Sequence, residues 1–433
     1  MMSNLVFVAT CDLAGKVRGK AFPVDDLDRR LARGVGWTPT NVQINCFDGI
    51  ADSPFGSLGD LLLVPDAATR MRAEFGDNVE DWFLGDILTL EGNPWEFCTR
   101  SLLKSALERL KTVADVTLLA AFEQEFQVRG KPTIVGDAFG RTGFEAERPL
   151  CEELIRQIAA AGFAPDSIMK EYGPNQYEIV IGPEKGVRAA DAAVMVRELA
   201  RSSGRHVGTD VTFAPILDPA SVGNGVHIHM SFLDANDNPV TYDAERSGGM
   251  SRLTEAFAGG VLKYLDGILA MTAPSVVSYL RLTPHRWSAA YNNLGFRDRE
   301  ASLRICPVTS KDPTAIERQF NLEYRAADAA ACPHLALAAI VHAGVQGIEE
   351  GLDAPITEED LSLLSPETLA ARDFVRLPES LEQALQRMDA NETVKNWFPA
   401  TFLPVYLAHK ESEITHLANM TDLERCAAYA CTY

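Results

Sequence analysis

An apolar run at residues 5 to 10, LVFVAT, and a mixed run at 16 to 22, KVRGKAF, predict two strands joined as a hairpin by the turn from Asp12 to Gly15. VDDLDRRLARG then takes up helical spacing and stops at Gly34, and NVQINCF and LLLVPD read as further strands. Glycine and proline break the pattern in GNPWEFCTR at 92 to 100, so a small α+β unit is expected over residues 1–95 and a larger one over 96–433. From Ser101, SLLKSALERLKTVA is an amphipathic helix with a serine cap, followed by the strand VTLLAAFEQEFQV. Helix and strand go on alternating: CEELIRQIAAAG is helical, YEIVIGP extended, AADAAVMVRELARSSG a long helix ended by Gly204, and VHIHMSFLD extended. SRLTEAFAGGVLKYL opens an alanine-rich helical region, and beyond Arg304 the chain reads as mostly helical.

A length of 433 residues exceeds the usual single core, which supports the two-part division. A net charge of −20 disfavours nucleic acid and anionic membrane, both of which need a positive footprint, and leaves small-molecule chemistry. The eight cysteines form no CxxC pair, so neither a zinc ribbon nor a disulfide framework is indicated and a reduced, cytoplasmic setting is expected. The first residues lack the basic start and unbroken apolar core of an export signal, and LALAAIVHAGV at 335 to 345 is too short to span a bilayer.

Against this ordinary background, charged groups recur at every-other-residue spacing: Glu123 with Glu125, His227 with His229, and Glu323 with Arg325. In a strand such residues share a face, and carboxylates held that close repel unless a cation lies between them. A lone ExE is as readily the solvated face of an edge strand. The apolar flanks of FEQEF predict burial on both sides, where unpaired acids are rarely tolerated. Glu171 and Glu178 bracket a turn and would bring a second pair of acids alongside; alone they read as a loop acid and a strand acid. His227 alone reads as a hydrogen-bonded core histidine, but the GNG at 223 to 225 lets backbone approach a ligand closely. Oxygen-rich ligation with one imidazole suits Mg²⁺ or Mn²⁺ better than zinc. Arg299 and Arg304 supply guanidinium forks for phosphoryl oxygens, although RDRE by itself is a surface charge cluster. Neither GxxxxGK[ST] nor GxGxxG occurs, so ATP would bind without a P-loop or a Rossmann turn.

Taken in order, FEQEF, EYGPNQYE, GNGVHIHMSF, SYLRLTP, REASLRI and EYRAADAAACPHLALAAIVHAGVQGIEEGL resemble the glutamine synthetase superfamily over nearly the whole chain. The resemblance implies an α+β fold, with a small N-terminal β-grasp-like domain and a large catalytic domain built on an antiparallel curved sheet with helices. It implies ATP and two or three Mg²⁺ or Mn²⁺ ions per site. By it, Glu125, Glu171 and Glu178 would hold one ion, and Glu123, His227 and Glu323 the ion nearer the γ-phosphate. His229, Ser231 and Arg304 would line the nucleotide, Arg299 and Arg304 would clamp phosphate, and Arg281 and Arg325 would grip the acid substrate. Asp48 in CFDG would accept a proton from the attacking nitrogen, acting from a neighbouring subunit in a homo-oligomer of two stacked hexamers, a dodecamer.

Two departures bear on the substrate. In RLTPHRWSAA, Trp287 stands where glutamine synthetases carry the flap glutamate that holds ammonium, and an indole suits an organic amine better than NH₄⁺. Val222 replaces the family's amino-acid-binding asparagine, and Asn224 is expected to compensate from a shifted loop. The pattern is closer to the γ-glutamyl-amide synthetases that use polyamines, ethanolamine, alkylamines or anilines, which implies ATP-dependent joining of an amine to the γ-carboxylate of L-glutamate through an acyl phosphate. Two rivals stay open: glutamine synthetase using ammonia, and a non-catalytic assembly protein that keeps the fold.

Overall fold

A computed structural model describes residues 4–433 and contains two sheets of unequal size. The smaller uses β1 (Leu5–Cys11), β2 (Val17–Pro23), β3 (Val35–Trp37), β4 (Leu61–Pro65), β5 (Met71–Phe75) and β6 (Asn78–Thr89), in the order β2-β1-β6-β4-β3 with β5 on β6. The hairpin read from the sequence is there, its turn held by Asp12, whose carboxylate accepts from the amides of Ala14 and Lys16. The helix Leu27–Arg33 ends at Gly34 as expected. The strand expected at 41 to 47 is absent: Pro39–Gln43 form a 3-10 turn, with Pro39 at its first position, where a fixed φ favours a helical start.

The larger, curved sheet is built from β7 (Thr117–Arg129), β8 (Pro165–Lys170), β9 (Gln176–Ile181), β10 (Glu184–Lys185), β11 (Asp210–Thr212), β12 (Val226–Leu233), β13 (Leu294–Phe296), β14 (Leu303–Ile305), β15 (Leu322–Tyr324) and β16 (Ile356–Thr357). Its order is β16-β13-β14-β15-β12-β7-β9-β8, with β10 and β11 also on β7. Residues beyond Arg304 are mostly helical, yet β15 and β16 from that region complete the sheet. FEQEF is not buried on both sides. Phe122, Gln124 and Phe126 enter the core, while Glu123 and Glu125 point to the partly open face, the alternation that the pleat imposes.

Helices pack behind this sheet. Arg252–Thr272 and Pro333–Glu350 cross where Gly260 meets Gly347: a Cβ on Gly260 would lie 2.1 Å from the Ala343 carbonyl oxygen, and one on Gly347 would lie 2.2 Å from that of Ala256. The helix expected from Ser101 starts at Thr99 behind Cys98, and Thr99 spends its hydroxyl on the Cys11 carbonyl instead of on a cap. The long helix Val187–Val207 runs past Gly204 and stops at Gly208, whose φ of +73° provides the left-handed turn. Gly204 is instead a packing glycine, since a Cβ there would sit 2.7 Å from the Thr209 carbonyl oxygen.

The two sheets are joined through Arg100. Its buried guanidinium bonds Asp191 at 2.9 and 3.0 Å, Asp66 at 2.9 Å and Asp86 at 3.1 Å, so it links the loop after β4, strand β6 and the helix behind β7. His334 adds a contact of 2.8 Å to Asp191.

Candidate active site

Strand register builds the site. Glu123 on β7 lies opposite His227 on β12, and Glu125 opposite Glu178 on β9. On the other side of β12, His229 faces Glu323 of β15, which in turn faces Arg304 of β14. Cross-strand partners share a face, so five neighbouring strands present acids, imidazoles and a guanidinium to one side.

The contacts are close. Nδ1 of His227 is 3.2 Å from Glu123 and 3.4 Å from Glu323, and Nε2 of His229 is 3.0 Å from Glu123. Arg304 donates to Glu323 at 2.7 Å, and Arg325 grips the other oxygen of that carboxylate. One oxygen of Glu125 accepts from the Gly225 amide at 2.8 Å and from Gln176 at 3.0 Å. The glycine lead-in packs closely on two site residues: a Cβ on Gly225 would stand 3.1 Å from Nε2 of His227 and 3.3 Å from Nη1 of Arg281. Arg281 is buried, donating to Ser288 and to the Ala327 carbonyl while its Nε has no partner; Nε of Arg304 is also unpartnered.

Electrostatics separate these acids into two groups. Burial raises Glu178 to about 9, reinforced by Glu123, Glu125, Glu171 and Glu323. Burial also raises Glu125 to about 7, with Glu171 adding and the Gly225 amide opposing. Burial pushes Glu123 and Glu323 upward too, but the bonds from His227 and His229 hold Glu123 well below the usual range, and His227 and Arg325 bring Glu323 to about 2. Desolvation, then Arg325, depress His227; His229 is desolvated as well, yet hydrogen bonds to Cys306 and Glu123 lift it well above its ordinary value.

Ligand atoms of Glu123, Glu178 and His227 lie within 4.8 Å of one another, as do those of His229, Cys306 and Glu323. The first set, with Glu125 and Glu171 beside it, fits a hard divalent cation: its donors are carboxylate oxygens and one imidazole, and Glu178 carries the mutual repulsion that such a cation relieves. Cys306 escaped the sequence reading although it stands two residues from Arg304, the same spacing that flagged the other pairs. Its thiol is pushed up mainly by burial, which leaves it a protonated donor to Glu323 at 3.4 Å, unlike the thiolate a soft metal takes.

The remaining expected residues are placed unevenly. Glu171 follows β8 and accepts from the Tyr172 amide at 2.8 Å. Ser231 continues the His227 and His229 face of β12. Arg299 is exposed and meets the site through its carbonyl, which accepts from Arg325 at 3.1 Å. Asn224, expected to compensate for the missing asparagine, is fully buried, its side-chain amide bonded to Gln176, Gln127 and the Ala214 carbonyl, so it braces the loop before Gly225. Asp48, with its side chain 87% exposed, lies 3.6 Å from Arg18 and has no other ion-pair partner among the described residues.

Trp287 sits at the rim, 48% exposed, with its carbonyl accepting from Arg325 at 3.3 Å. Its ring meets Tyr172 edge-on at 4.8 Å and Phe139 at 6.4 Å. Tyr172 and Phe139 were not foreseen, since an isolated aromatic in a loop carries no spacing signal.

Among known proteins, the glutamine synthetase catalytic domain pattern matches residues 96–427 and the glutamine synthetase N-terminal domain pattern matches 2–95. A gamma-glutamylpolyamine synthetase of Streptomyces coelicolor is 32% identical over 99% of this chain and 93% of its own length. Type-1 glutamine synthetase 1 of Dictyostelium discoideum is 26% identical over 94% of this chain and 86% of its own. A crystal structure described as a novel glutamine synthase homolog superposes with a TM-score of 0.92 at 39% identity, covering 100% of this chain and 99% of that one. A GmaS/ADP complex shares the fold, with a TM-score of 0.83 at 23% identity over 98% and 96% of the two chains. No helix among the described residues is long and apolar enough to cross a membrane. With both of its parts matched and its acids assembled by strand register, the chain belongs to the glutamine synthetase family of ATP-dependent ligases.

Proposed function

We propose that this ligase joins an organic amine to the γ-carboxylate of L-glutamate through a γ-glutamyl phosphate. The observation that carries the choice of amine over ammonia is the rim: Trp287, Tyr172 and Phe139 come together beside Glu171, giving an apolar and π-rich lining where a small, strongly hydrated ammonium ion would gain little.

In this reading Arg281 and Arg325 hold the glutamate, and His229 and Ser231 face the nucleotide. Glu123, Glu125, Glu171, Glu178, His227 and Glu323 would hold two or three Mg²⁺ or Mn²⁺ ions, which supply charge neutralisation for the polyphosphate when bound. A γ-carboxylate oxygen attacks the terminal phosphorus of ATP and ADP departs, with Arg304 and Arg299 facing the charge that builds on the transferred group. The neutral amine then attacks the acyl carbon, inorganic phosphate leaves, and the amine proton passes to Asp48. Exposed and paired with Arg18 in its own chain, Asp48 would serve the site of a neighbouring subunit, in a dodecamer of two stacked hexamers with residues 1–95 as the small domain.

Phosphate release from Mg-ATP and glutamate across a panel of amines tests the reading. Release with polyamines, alkylamines or ethanolamine supports it; release with ammonia alone makes the protein a glutamine synthetase; none with any amine leaves an assembly protein. Trp287→Glu should shift preference toward ammonia by about tenfold in relative kcat/KM, on the scale of one cation contact. An unchanged amine profile would remove Trp287 from specificity.

A further inference from the structure

Two of the three rim rings sit on strained backbone. Phe139 has a φ of +55° and Trp287 one of +53°, a left-handed conformation that bulky side chains rarely adopt. Such residues persist only where their surroundings hold them, and they gather where ligands are gripped. The rings do not supply that hold themselves. All three are about half exposed, and only Tyr172 and Trp287 approach closely, at 4.8 Å, while Phe139 stands 6.4 Å from each. Trp287 is held by Glu300, whose carboxylate accepts from the Trp287 amide at 2.9 Å and from the His285 amide at 2.7 Å.

A buried lysine holds the other two. Lys170, the last residue of β8, is only 2% exposed. Its ammonium donates to the carbonyls of Glu171 at 2.5 Å and Gly173 at 2.7 Å, the residues on either side of Tyr172. It also lies 3.7 Å from the carboxylate of Asp137, which is buried and precedes Phe139 by two residues. The Asp137 carbonyl accepts from the Gly140 amide at 2.7 Å, so the turn that carries Phe139 closes on the same residue. Gly143 brings the next helix, Arg141–Ala146, down onto this pair: a Cβ there would stand 2.8 Å from Cγ of Lys170 and 2.9 Å from Oδ2 of Asp137.

A buried ammonium is costly unless oxygens surround its protons. The oxygens around Lys170 all belong to the two segments that carry Tyr172 and Phe139, which are more than thirty residues apart in the chain and share this one cation. Without it, both carbonyls and the carboxylate lose their partner, and nothing fixes one ring relative to the other.

We propose that Lys170 is the positioning residue of the aromatic rim: by setting Tyr172 and Phe139 against Trp287, it decides how strongly the site favours a longer apolar chain on the amine. The inference rests on the amine-ligase reading and deepens it, since Lys170 touches no substrate and acts through the rings.

The test uses the assembled full-length enzyme with ethylamine, propylamine, butylamine and pentylamine. In the wild type, KM should fall about twofold with each added methylene, the gain for chain atoms settling on half-exposed rings, and so about eightfold across the series. In K170M that preference should shrink to about twofold or less across the series, on the same scale per methylene. Glu171 shares the turn that Lys170 grips, so D137N, which alters only the Phe139 side, is the second arm: it should flatten the series in part while kcat at saturating pentylamine and the KM values for ATP and glutamate stay as they were. A role confined to stability would lower Tm or raise every amine KM alike. An eightfold preference kept by both variants, or equal KM changes for all four amines, would overturn the assignment and leave the ligase reading standing. A wild type that uses ammonia alone, or that shows no dependence on chain length, would remove the rim from amine selection and this role of Lys170 with it.

Discussion

Burial holds the carboxyls of Glu125 and Glu178 well above the ordinary carboxylate range. With folded values near 7 and 9 against an ordinary carboxylate value of about 4.5, each binds a proton in the folded chain that it has already released when unfolded. Stability from these groups is therefore full below about pH 4.5 and is lost as pH rises through about 7 and then 9. Glu123 and Glu323 work in the opposite sense, contributing above about pH 4.5 and losing their contribution only in acid, so the alkaline side belongs to Glu125 and Glu178. Metal-free protein should show a falling Tm between about pH 5 and 9, and Mg²⁺ or Mn²⁺ should raise Tm more at the alkaline end than at the acid end. A pH-independent Tm in the absence of metal would contradict the crowding of these acids. Glu178→Gln should flatten the metal-free profile.

At the scale of elements, much of this site was legible because a strand's period of two converts spacing directly into a shared face. Glu123 with Glu125 and His227 with His229 could be paired on paper, but that His229 faces Glu323 comes from β15 returning beside β12 after about ninety residues, which no local pattern encodes. Boundaries failed where two signals competed. Ser101 and Gly204 resemble a cap and a stop, yet tertiary packing moved the helix ends to Cys98 and Gly208. Pro39 overrode the strand propensity of the residues after it. The crossing of Arg252–Thr272 over Pro333–Glu350 is a further case: the alanine-rich pattern gives the helix, but that Gly260 and Gly347 let two backbones approach is a tertiary fact. Gly347→Ala should cost about 2 kcal/mol or more in chemical denaturation despite its better helix propensity, and a neutral or stabilising result would show that the helices can separate cheaply.

At the scale of the whole molecule, the exposure of Asp48 gives the shared-site proposal a direct check. Asp48→Ala should abolish amide formation while sparing nucleotide binding. Mixed assemblies of Asp48→Ala and Glu178→Gln chains should regain about a quarter of wild-type activity or less, the share expected when intact halves of a two-chain site meet at random. No recovery on mixing would place Asp48 in its own chain's site or outside catalysis. Arg100 bears on how accurately such halves could meet. By clasping Asp66, Asp86 and Asp191 at once, it ties the small sheet to the helix behind the large one. If chains share sites in a ring as proposed, the Arg100 joint bears on how one molecule presents Asp48 to the next, and damage there would surface as misalignment in a neighbour's active site.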